Sequence, residues 1–216
     1  MGELWTETYK LKTWLQVEIA VCEAQAELGY IPTEAVETIK AKANFDPQRI
    51  LEIEAEVKHD VIAFLTNVNE YVGDAGRYIH LGMTSSDMLD TALTLQMVAS
   101  LNLLLEVLED LIQAIRYQAQ QHRDTVMIGR SHGIHGEPIT FGFKLAGWLA
   151  EVLRHRDRLI QLRKRISVGQ ISGAMGTYAN IDPRIEAIVC QKLGLEPDIA
   201  STQVISREIH ADFVQH

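Results

Sequence analysis

The sequence predicts an all-α protein in which a small N-terminal helical domain precedes part of a long-helix bundle. Only five prolines interrupt the 216 residues. Between the prolines, apolar side chains recur every three or four positions, which is the spacing of a helix with one buried face. Two stretches, one after Asp87 and one after Pro138, are long and almost free of helix breakers. Helices of such length belong to extended bundles.

The first helices begin and end at residues with known preferences for those places. Helical periodicity covers residues 5–28, and Gly29 suits the left-handed conformation that closes a helix. A short second helix begins at Pro32-Thr33-Glu34. These signals predict two helices joined by a tight turn.

Asp46 is placed to cap a third helix that begins at Pro47. We expect this helix to run unbroken through QRILEIEAEVKHDVIAFLTNVNEYV, because its apolar residues fall on one arc of the helical wheel. His59 would then lie on the opposite, polar face. By position alone it is a solvent-exposed histidine.

A loop over residues 73–82 includes His80 and leads to TSSD, residues 84–87. A hydroxyl followed three residues later by a carboxylate is typical of a helix start. The helix behind it should run about 35 residues, or roughly 50 Å. Pro138 suits the first turn of a second long helix. Two such helices carry more apolar surface than two partners cover, so we expect subunits to pair.

The C-terminal third begins with SVGQISGAMGTYANIDP, which has the composition of an ordered loop with room for a short hairpin. The final STQVISREIHADFVQH starts a helical pattern that no cap, glycine or proline closes, so we expect a fragment of a longer protein. We predict an N-terminal helical domain over residues 1–86. Residues 87–216 would be the N-terminal part of a truncated bundle domain.

Composition narrows the class of protein. Hydrophobic residues make up 47% and charged residues 23%, as in an ordinary globular protein. The net charge of -9 argues against a nucleic-acid partner. Cys22 and Cys190 are predicted to be buried thiols of a reducing compartment. No signal peptide and no run of about 18 apolar residues stands out, so a cytoplasmic protein without a membrane partner is expected.

The stretch GRSHGIHGEPITFG, residues 129–142, places two histidines among glycines. Metal binding by His132 and His135 is disfavoured, because no third or fourth ligand lies nearby and no HExxH pattern is present. Proton transfer fits better: a histidine titrates near neutrality, and Arg130 and Ser131 can bind an anion. Amides of a helix starting at Pro138 would favour the same anion. A glycine-rich bend without chemistry remains the third possibility.

Four blocks together resemble the adenylosuccinate lyases, a family of the fumarase/aspartase superfamily. They are VKHDVIAF, HLGMTSSDMLDTA, MIGRSHGIHGEPITFGFKLA and ISGAMGTYANIDP, in this order along the chain. The resemblance implies the fumarase-type helical bundle, a homotetramer and no cofactor or metal. It also implies cleavage of adenylosuccinate to AMP and fumarate, and of SAICAR to AICAR and fumarate, in purine biosynthesis.

The resemblance also implies roles for particular residues. His132 matches the family's general acid, and His59 matches a partner histidine of the same site. Thr84, Ser85, Ser131 and Gln203 match residues that contact substrate. The remaining candidates for substrate binding are Arg130, Lys58 and His80.

Two family segments have no counterpart in the chain: an N-terminal Arg-Tyr segment that helps bind phosphate, and the mobile serine loop that supplies the base. The 216 residues alone are therefore expected to be inactive. Alternatives are another lyase of the superfamily, acting on argininosuccinate, fumarate or a carboxymuconate, and a non-catalytic helical oligomerisation module. The blocks KHDV and GTYANIDP disfavour the first of these.

Overall fold

The computed structural model describes all 216 residues, and the predicted all-α class is confirmed. Eight helices are joined by short connections and two small two-stranded sheets. The helices are α1 (Glu7–Glu27), α2 (Thr33–Lys42), α3 (Pro47–Val57), α4 (Asp60–Val72), α5 (Ser85–Gln121), α6 (Phe141–Ile166), α7 (Pro183–Leu193) and α8 (Arg207–Gln215). The strands are β1 (Val126–Ser131), β2 (Ile134–Thr140), β3 (Val168–Gly169) and β4 (Glu196–Pro197).

The predicted helix ends near the N-terminus are confirmed. Gly29 follows α1 with φ of 78°, and the Asp46 carboxylate accepts from the Gln48 N–H at 2.9 Å at the start of α3. Helix α1 begins two residues later than periodicity indicates. Thr6 caps it, and a 3₁₀ turn over Gly2–Trp5 precedes it.

The prediction of one unbroken third helix is wrong. Lys58 adopts a left-handed conformation with φ of 57° and ends α3, and α4 begins two residues later. His59 is the N-cap of α4, where its Nδ1 accepts from the Ile62 N–H at 3.4 Å. It therefore does not lie on a helix face. Residues on both sides keep helical periodicity, so the apolar pattern alone does not reveal the break.

Helix α5 is the long helix predicted after TSSD. It begins at Ser85, and the Thr84 N–H donates to the Asp87 carboxylate at 2.9 Å, which is one half of a capping box. By length and composition alone, α5 could cross a membrane. A long core helix of a bundle has the same length and apolar composition.

The prediction that a helix starts at Pro138 is also wrong. Residues 126–140 form an antiparallel hairpin, in which Pro138 pairs with Ile128. Helix α6 begins only at Phe141. Its first amides are used locally: the Phe141 N–H donates to the Thr125 carbonyl and the Gly142 N–H to the His122 carbonyl, both at 2.8 Å. They are not available to an anion beside His132.

The Gly-rich stretch after α6 is ordered, but it is not a hairpin. Its strand β3 pairs in parallel with β4, from the segment after α7. The Glu196 N–H donates to the Ser167 carbonyl at 3.0 Å. Two parallel strands need a crossover connection between them, and here α7 provides it. The composition of the loop does not predict this pairing.

The chain divides into two compact units. Unit 1 comprises residues 1–99 and 165–215, and unit 2 comprises residues 100–164 together with His216. In unit 1, α1 packs on α2, α3 and α7 around an apolar core. Trp14 meets the fully buried Phe64 edge-on with ring centroids 5.4 Å apart. The predicted burial of Cys22 and Cys190 as free thiols is confirmed.

Unit 2 contains most of α5 and α6 with the hairpin between them. A few side chains such as Ile112 and Leu162 are buried. Many large apolar side chains are exposed: Leu104, Val107, Leu111, Tyr117, Val126, Ile128, Ile134, Phe143, Trp148 and Ile160. The expected excess of apolar surface is thus present, and the pairing of subunits stays a prediction.

Candidate active site

The start of α5 is built around the buried carboxylate of Asp87. This group accepts from the N–H groups of Thr84, Ser172 and Gly173 at 2.9 to 3.1 Å, and from the Gln170 side chain at 3.2 Å. Burial raises the pKa of Asp87, and the hydrogen bonds it accepts oppose that shift. Thr84 and Ser85, two predicted substrate contacts, are half-buried beside it.

Gln170 joins this helix start to the segment that carries Gln203. It is completely buried, and its Nε2 donates to the Gln203 carbonyl at 2.7 Å. The Thr91 hydroxyl, one turn after Asp87 on α5, accepts from the N–H of Gln170 at 3.0 Å and donates to its carbonyl at 2.9 Å. Gln203 is exposed. Its backbone carbonyl is therefore held by Gln170, while its side-chain amide is open to solvent.

Glycine at position 176 is required by close contact. Gly176 has φ of 72°, and a Cβ there would lie 2.3 Å from the Ser201 carbonyl oxygen. The Ser172 and Ser201 hydroxyls are 2.8 Å apart. The segments 172–176 and 201–203 are therefore fitted tightly to one another next to α5.

His80 lies at the turn that precedes Thr84. Its Nδ1 is 2.6 Å from the Glu18 carboxylate, and its backbone N–H donates to the second oxygen of Glu18 at 3.0 Å. Burial alone would lower the pKa of His80, but the hydrogen bond and charge of Glu18, with the charge of Asp87, outweigh it and raise the pKa. The structure thus holds His80 by contacts that favour the imidazolium.

Lys58 and His59 form the corner between α3 and α4. His59 is exposed, and its Nδ1 is used as the cap of α4, which leaves Nε2 without a partner. The Lys58 side chain is also exposed. No hydrogen bond of either residue reaches the Asp87 network.

Arg130, Ser131 and His132 lie at the tip of the hairpin in unit 2. His132 is exposed, its ring makes no hydrogen bond within the chain, and φ is 52°. Arg130 Nη1 reaches back to the Gly133 carbonyl at 3.4 Å. The tip therefore presents an imidazole, a guanidinium and a hydroxyl to solvent. His135 lies on β2 opposite Arg130, and it too is exposed.

Three of the four non-glycine residues with positive φ are site candidates: Lys58, His80 and His132. The fourth, Tyr178, donates its hydroxyl to Glu186 at 2.7 Å. A left-handed backbone at a residue with a Cβ costs roughly 1 kcal/mol or more and is common at functional sites. At Lys58 this conformation also ends α3, and functional roles for the three positions stay predictions.

Local contacts place the candidates in three groups. His80, Thr84, Ser85 and Gln203 share the bonded region at the start of α5, whereas Arg130, Ser131 and His132 share the hairpin tip. Lys58 and His59 form a third group at their own corner.

Sequence reasoning missed the residues that hold the first group in place. Glu18, Gln170 and Glu186 were not singled out, and Asp87 was recognised only as part of a helix start. A buried polar residue of this kind can be suspected where a polar side chain occupies an apolar position of a helix. Glu18, among Leu15, Ile19 and Cys22, is an example.

Comparisons with known proteins find matches that span essentially the whole chain. A model of the lyase family matches residues 1–215. The adenylosuccinate lyase of Synechocystis sp. is 81% identical over 215 residues, which are 100% of this chain and 50% of that protein. The adenylosuccinate lyase of Bacillus subtilis is 48% identical over 99% of this chain, again 50% of that protein. The chain thus spans about half the length of the curated relatives it matches.

Solved structures share the fold. A fumarate lyase from Mesorhizobium sp. BNC1 superposes with a TM-score of 0.92 at 32% identity, over 99% of this chain and 52% of that chain. A 3-carboxy-cis,cis-muconate lactonizing enzyme from Pseudomonas putida gives a TM-score of 0.91 at 31% identity, over 99% and 51%.

Proposed function

The chain belongs to the lyase family whose model it matches over residues 1–215, and we propose that it is the N-terminal portion of an adenylosuccinate lyase. The resemblance read from four sequence blocks is confirmed at the level of the family. The substrates we propose are adenylosuccinate and SAICAR, which would be cleaved to AMP or AICAR with release of fumarate. Both reactions belong to purine biosynthesis, and the protein would act in the cytoplasm.

The proposed reaction is a β-elimination. A base removes a proton from the carbon next to a succinyl carboxylate, and that carboxylate delocalises the charge. The electron pair then forms the double bond of fumarate while the C–N bond breaks. An acid protonates the departing nitrogen, so protons and electrons balance.

The observation that carries this proposal is His132. Its imidazole stands at a hairpin tip, exposed, with a left-handed backbone and no partner within the chain. A histidine titrates close to neutral pH and can give a proton to a leaving nitrogen. A histidine that served only to hold the fold would be buried or hydrogen-bonded. We therefore assign His132 as the general acid and His59 as its partner.

The other candidates would hold the anionic substrate. Hydroxyls of Thr84, Ser85 and Ser131 and the amide of Gln203 supply neutral donors, and Lys58, His80 and Arg130 supply positive charge. The implied homotetramer would complete this site with residues of neighbouring subunits. The exposed apolar residues of α5 and α6 support the same assembly.

Two further parts of the proposal concern organisation. We place the domain boundary at residue 86, with residues 87–216 contributing to the central bundle. We also propose that the 216 residues alone do not release fumarate, because the resemblance assigns the base to a serine loop with no counterpart in the chain.

The proposal is tested in a chimera. Residues 1–215 of this chain replace the matched half of the Synechocystis enzyme, and fumarate release from adenylosuccinate is followed by absorbance. We expect an active chimera in which His132→Asn lowers kcat by at least about 100-fold, the usual size of a general acid's contribution. His155→Asn, which changes an exposed histidine of α6, is the matched control and should stay within twofold. An inactive chimera, or a His132→Asn variant with more than half the activity, would contradict the assignment.

A second lyase activity has one observation in its favour, the TM-score of 0.91 with the muconate enzyme at 31% identity. The 81% identity with an adenylosuccinate lyase outweighs it. Turnover of a carboxymuconate by the chimera at a rate above that of adenylosuccinate would reverse this order.

A further inference from the structure

Helix α1 presents a buried polar stripe to the turn that carries His80. Glu18, Cys22 and Gln25 follow one another at spacings of four and three residues, so they share one face of the helix. All three are at most 3% exposed. Gln25 Nε2 donates to the Leu81 carbonyl at 2.7 Å, and Cys22 Sγ lies 3.7 Å from the Tyr78 carbonyl oxygen. The stripe therefore holds the turn from both sides of His80.

Glu18 directs both of its oxygens to His80. One is 2.6 Å from the ring Nδ1, and the other accepts the His80 backbone N–H at 3.0 Å. The backbone of His80 has φ of 64°, an unfavourable value for a residue with a Cβ. The carboxylate therefore supports this backbone conformation as well as the ring. A single side chain thus determines both where the ring lies and how it is turned.

Stability alone does not account for this pair. The Glu18 side chain is 1% exposed and that of His80 18%. Removing two charges from water costs about as much as their attraction returns, and apolar residues of similar volume often serve stability as well or better. A buried carboxylate kept at this position is therefore more readily explained by what it does to His80.

The contacts also settle which ring atom is available. Nδ1 is occupied by Glu18, while Nε2 has no hydrogen-bond partner within the chain. The charged groups that act on the ring are Glu18 from α1 and Asp87 from α5, both acidic, so both favour a protonated ring. Four residues further along the chain lie Thr84 and the start of α5.

We propose that Glu18 is a positioning residue for His80: its buried carboxylate holds and orients the ring through Nδ1 and the backbone N–H, so that Nε2–H meets an anionic group of the substrate held at the start of α5. The proposal rests on the function proposed above. It adds a residue that lies outside the substrate site and acts through another side chain.

The first test needs no activity. The ring nitrogens of His80 are observed by ¹⁵N NMR in the 216-residue chain, in the native protein and in Glu18→Gln. The native ring should stay doubly protonated at a pH where the ring in Glu18→Gln has lost a proton. Glu7→Gln, which removes an exposed charge from the same helix, should leave the His80 signals unchanged. Identical titration of His80 in Glu18→Gln and native protein would overturn the proposal.

The second test measures KM for adenylosuccinate in the chimera. At pH 8, Glu18→Gln should raise KM about tenfold with a smaller change in kcat, because one charged hydrogen bond to the substrate is weakened. At pH 6 the free histidine is largely protonated by the solvent, so most of the loss should be recovered. Glu18→Asp keeps the charge and should restore part of the native KM at pH 8.

A double-variant cycle separates positioning from a general packing effect. If Glu18 acts through His80, then Glu18→Gln added to His80→Asn should raise KM no further. Independent, additive effects would overturn the proposal. If Glu18→Gln does not fold, Glu18→Asp is carried through the same cycle. An inactive chimera would count against the proposed function, whereas the NMR titration reports on Glu18 by itself.

Discussion

The start of α5 and the tip of the hairpin carry two halves of the candidate chemistry, and they are built in opposite ways. Around Asp87, four donors converge on one buried carboxylate, and neighbouring segments meet at distances that only glycine allows. Around His132, every residue from Ser131 to Pro138 is exposed and few side-chain contacts exist. The Asp87 carboxylate of the first region finds all its donors within the chain, whereas the second region presents its groups to solvent.

This difference shows how a site can be divided between preorganisation and assembly. Groups that hold a substrate anion gain from a rigid, already desolvated setting, because no reorganisation remains to be done on binding. A proton donor at a hairpin tip, the role proposed for His132, would instead obtain its final environment from a neighbouring subunit. Four experiments test this contrast between the two regions.

The largest effect is expected at Asp87. Asp87→Ala leaves the N–H groups of Thr84, Ser172 and Gly173 without their acceptor in a buried setting, and each such loss costs roughly 1–3 kcal/mol. We expect the free energy of unfolding, measured with urea, to fall by about 3–5 kcal/mol. Asp124→Ala, at a side chain that is 92% exposed, is the control and should change it by less than about 0.5 kcal/mol. Equal effects of the two substitutions would refute the contrast.

A pair of glycines separates backbone conformation from close contact. Gly176 and Gly133 have φ of 72° and 78°, but only Gly176 faces nearby backbone, whereas a Cβ at Gly133 meets nothing within 4 Å. Gly133→Ala should cost about 1 kcal/mol for the left-handed conformation alone. Gly176→Ala adds a clash with the Ser201 carbonyl and should cost at least about 2 kcal/mol. Thermal unfolding of both variants measures the difference, and equal costs would show that the two regions tolerate change alike.

The pH dependence of stability should reveal His80. A histidine whose pKa is raised on folding stabilises the native state fully below the ordinary pKa near 6.5. That contribution is lost as the pH rises through the raised native value. Between pH 6 and pH 8, native protein should therefore lose more unfolding free energy than His80→Asn, which removes the titrating ring and tolerates the left-handed backbone. Parallel losses in urea titrations of the two proteins would exclude this linkage.

The smallest effect on stability is expected at His132. His132→Asn removes a ring without partners, and asparagine adopts the left-handed conformation readily. The free energy of unfolding should stay within about 0.5 kcal/mol of the native value. A larger loss in the isolated chain would mean that the hairpin tip has a structural role here.

Sequence reasoning succeeded where the deciding interactions are local. Gly29 and the Asp46-Pro47 pair place helix ends because their preferences act within one turn. It failed at Lys58 and at Pro138. The residues around Lys58 keep helical periodicity across a left-handed corner, so nothing in the pattern marks the break. Pro138 fits a helix start by local rules, but cross-strand pairing with Ile128 places it in a hairpin instead.

The candidate site shows the same division. His132, Ser131 and Arg130 were found from a short motif, because residues on one turn stay neighbours in any fold. Glu18 and His80 are 62 positions apart, and Gln170 and Asp87 are 83 positions apart. Their pairing depends on how α1, α5 and the segment after α6 pack, which no local pattern encodes.

The helical class, most helix ends and the candidate chemical groups can be read from the sequence, since these follow from side-chain type and spacing over a few residues. The corner at Lys58, the hairpin under His132 and the distant partners of His80 and Asp87 are seen only in the folded structure. Those features depend on burial and on hydrogen bonds between distant segments, and such contacts acquire their energy only once packing has excluded water from them.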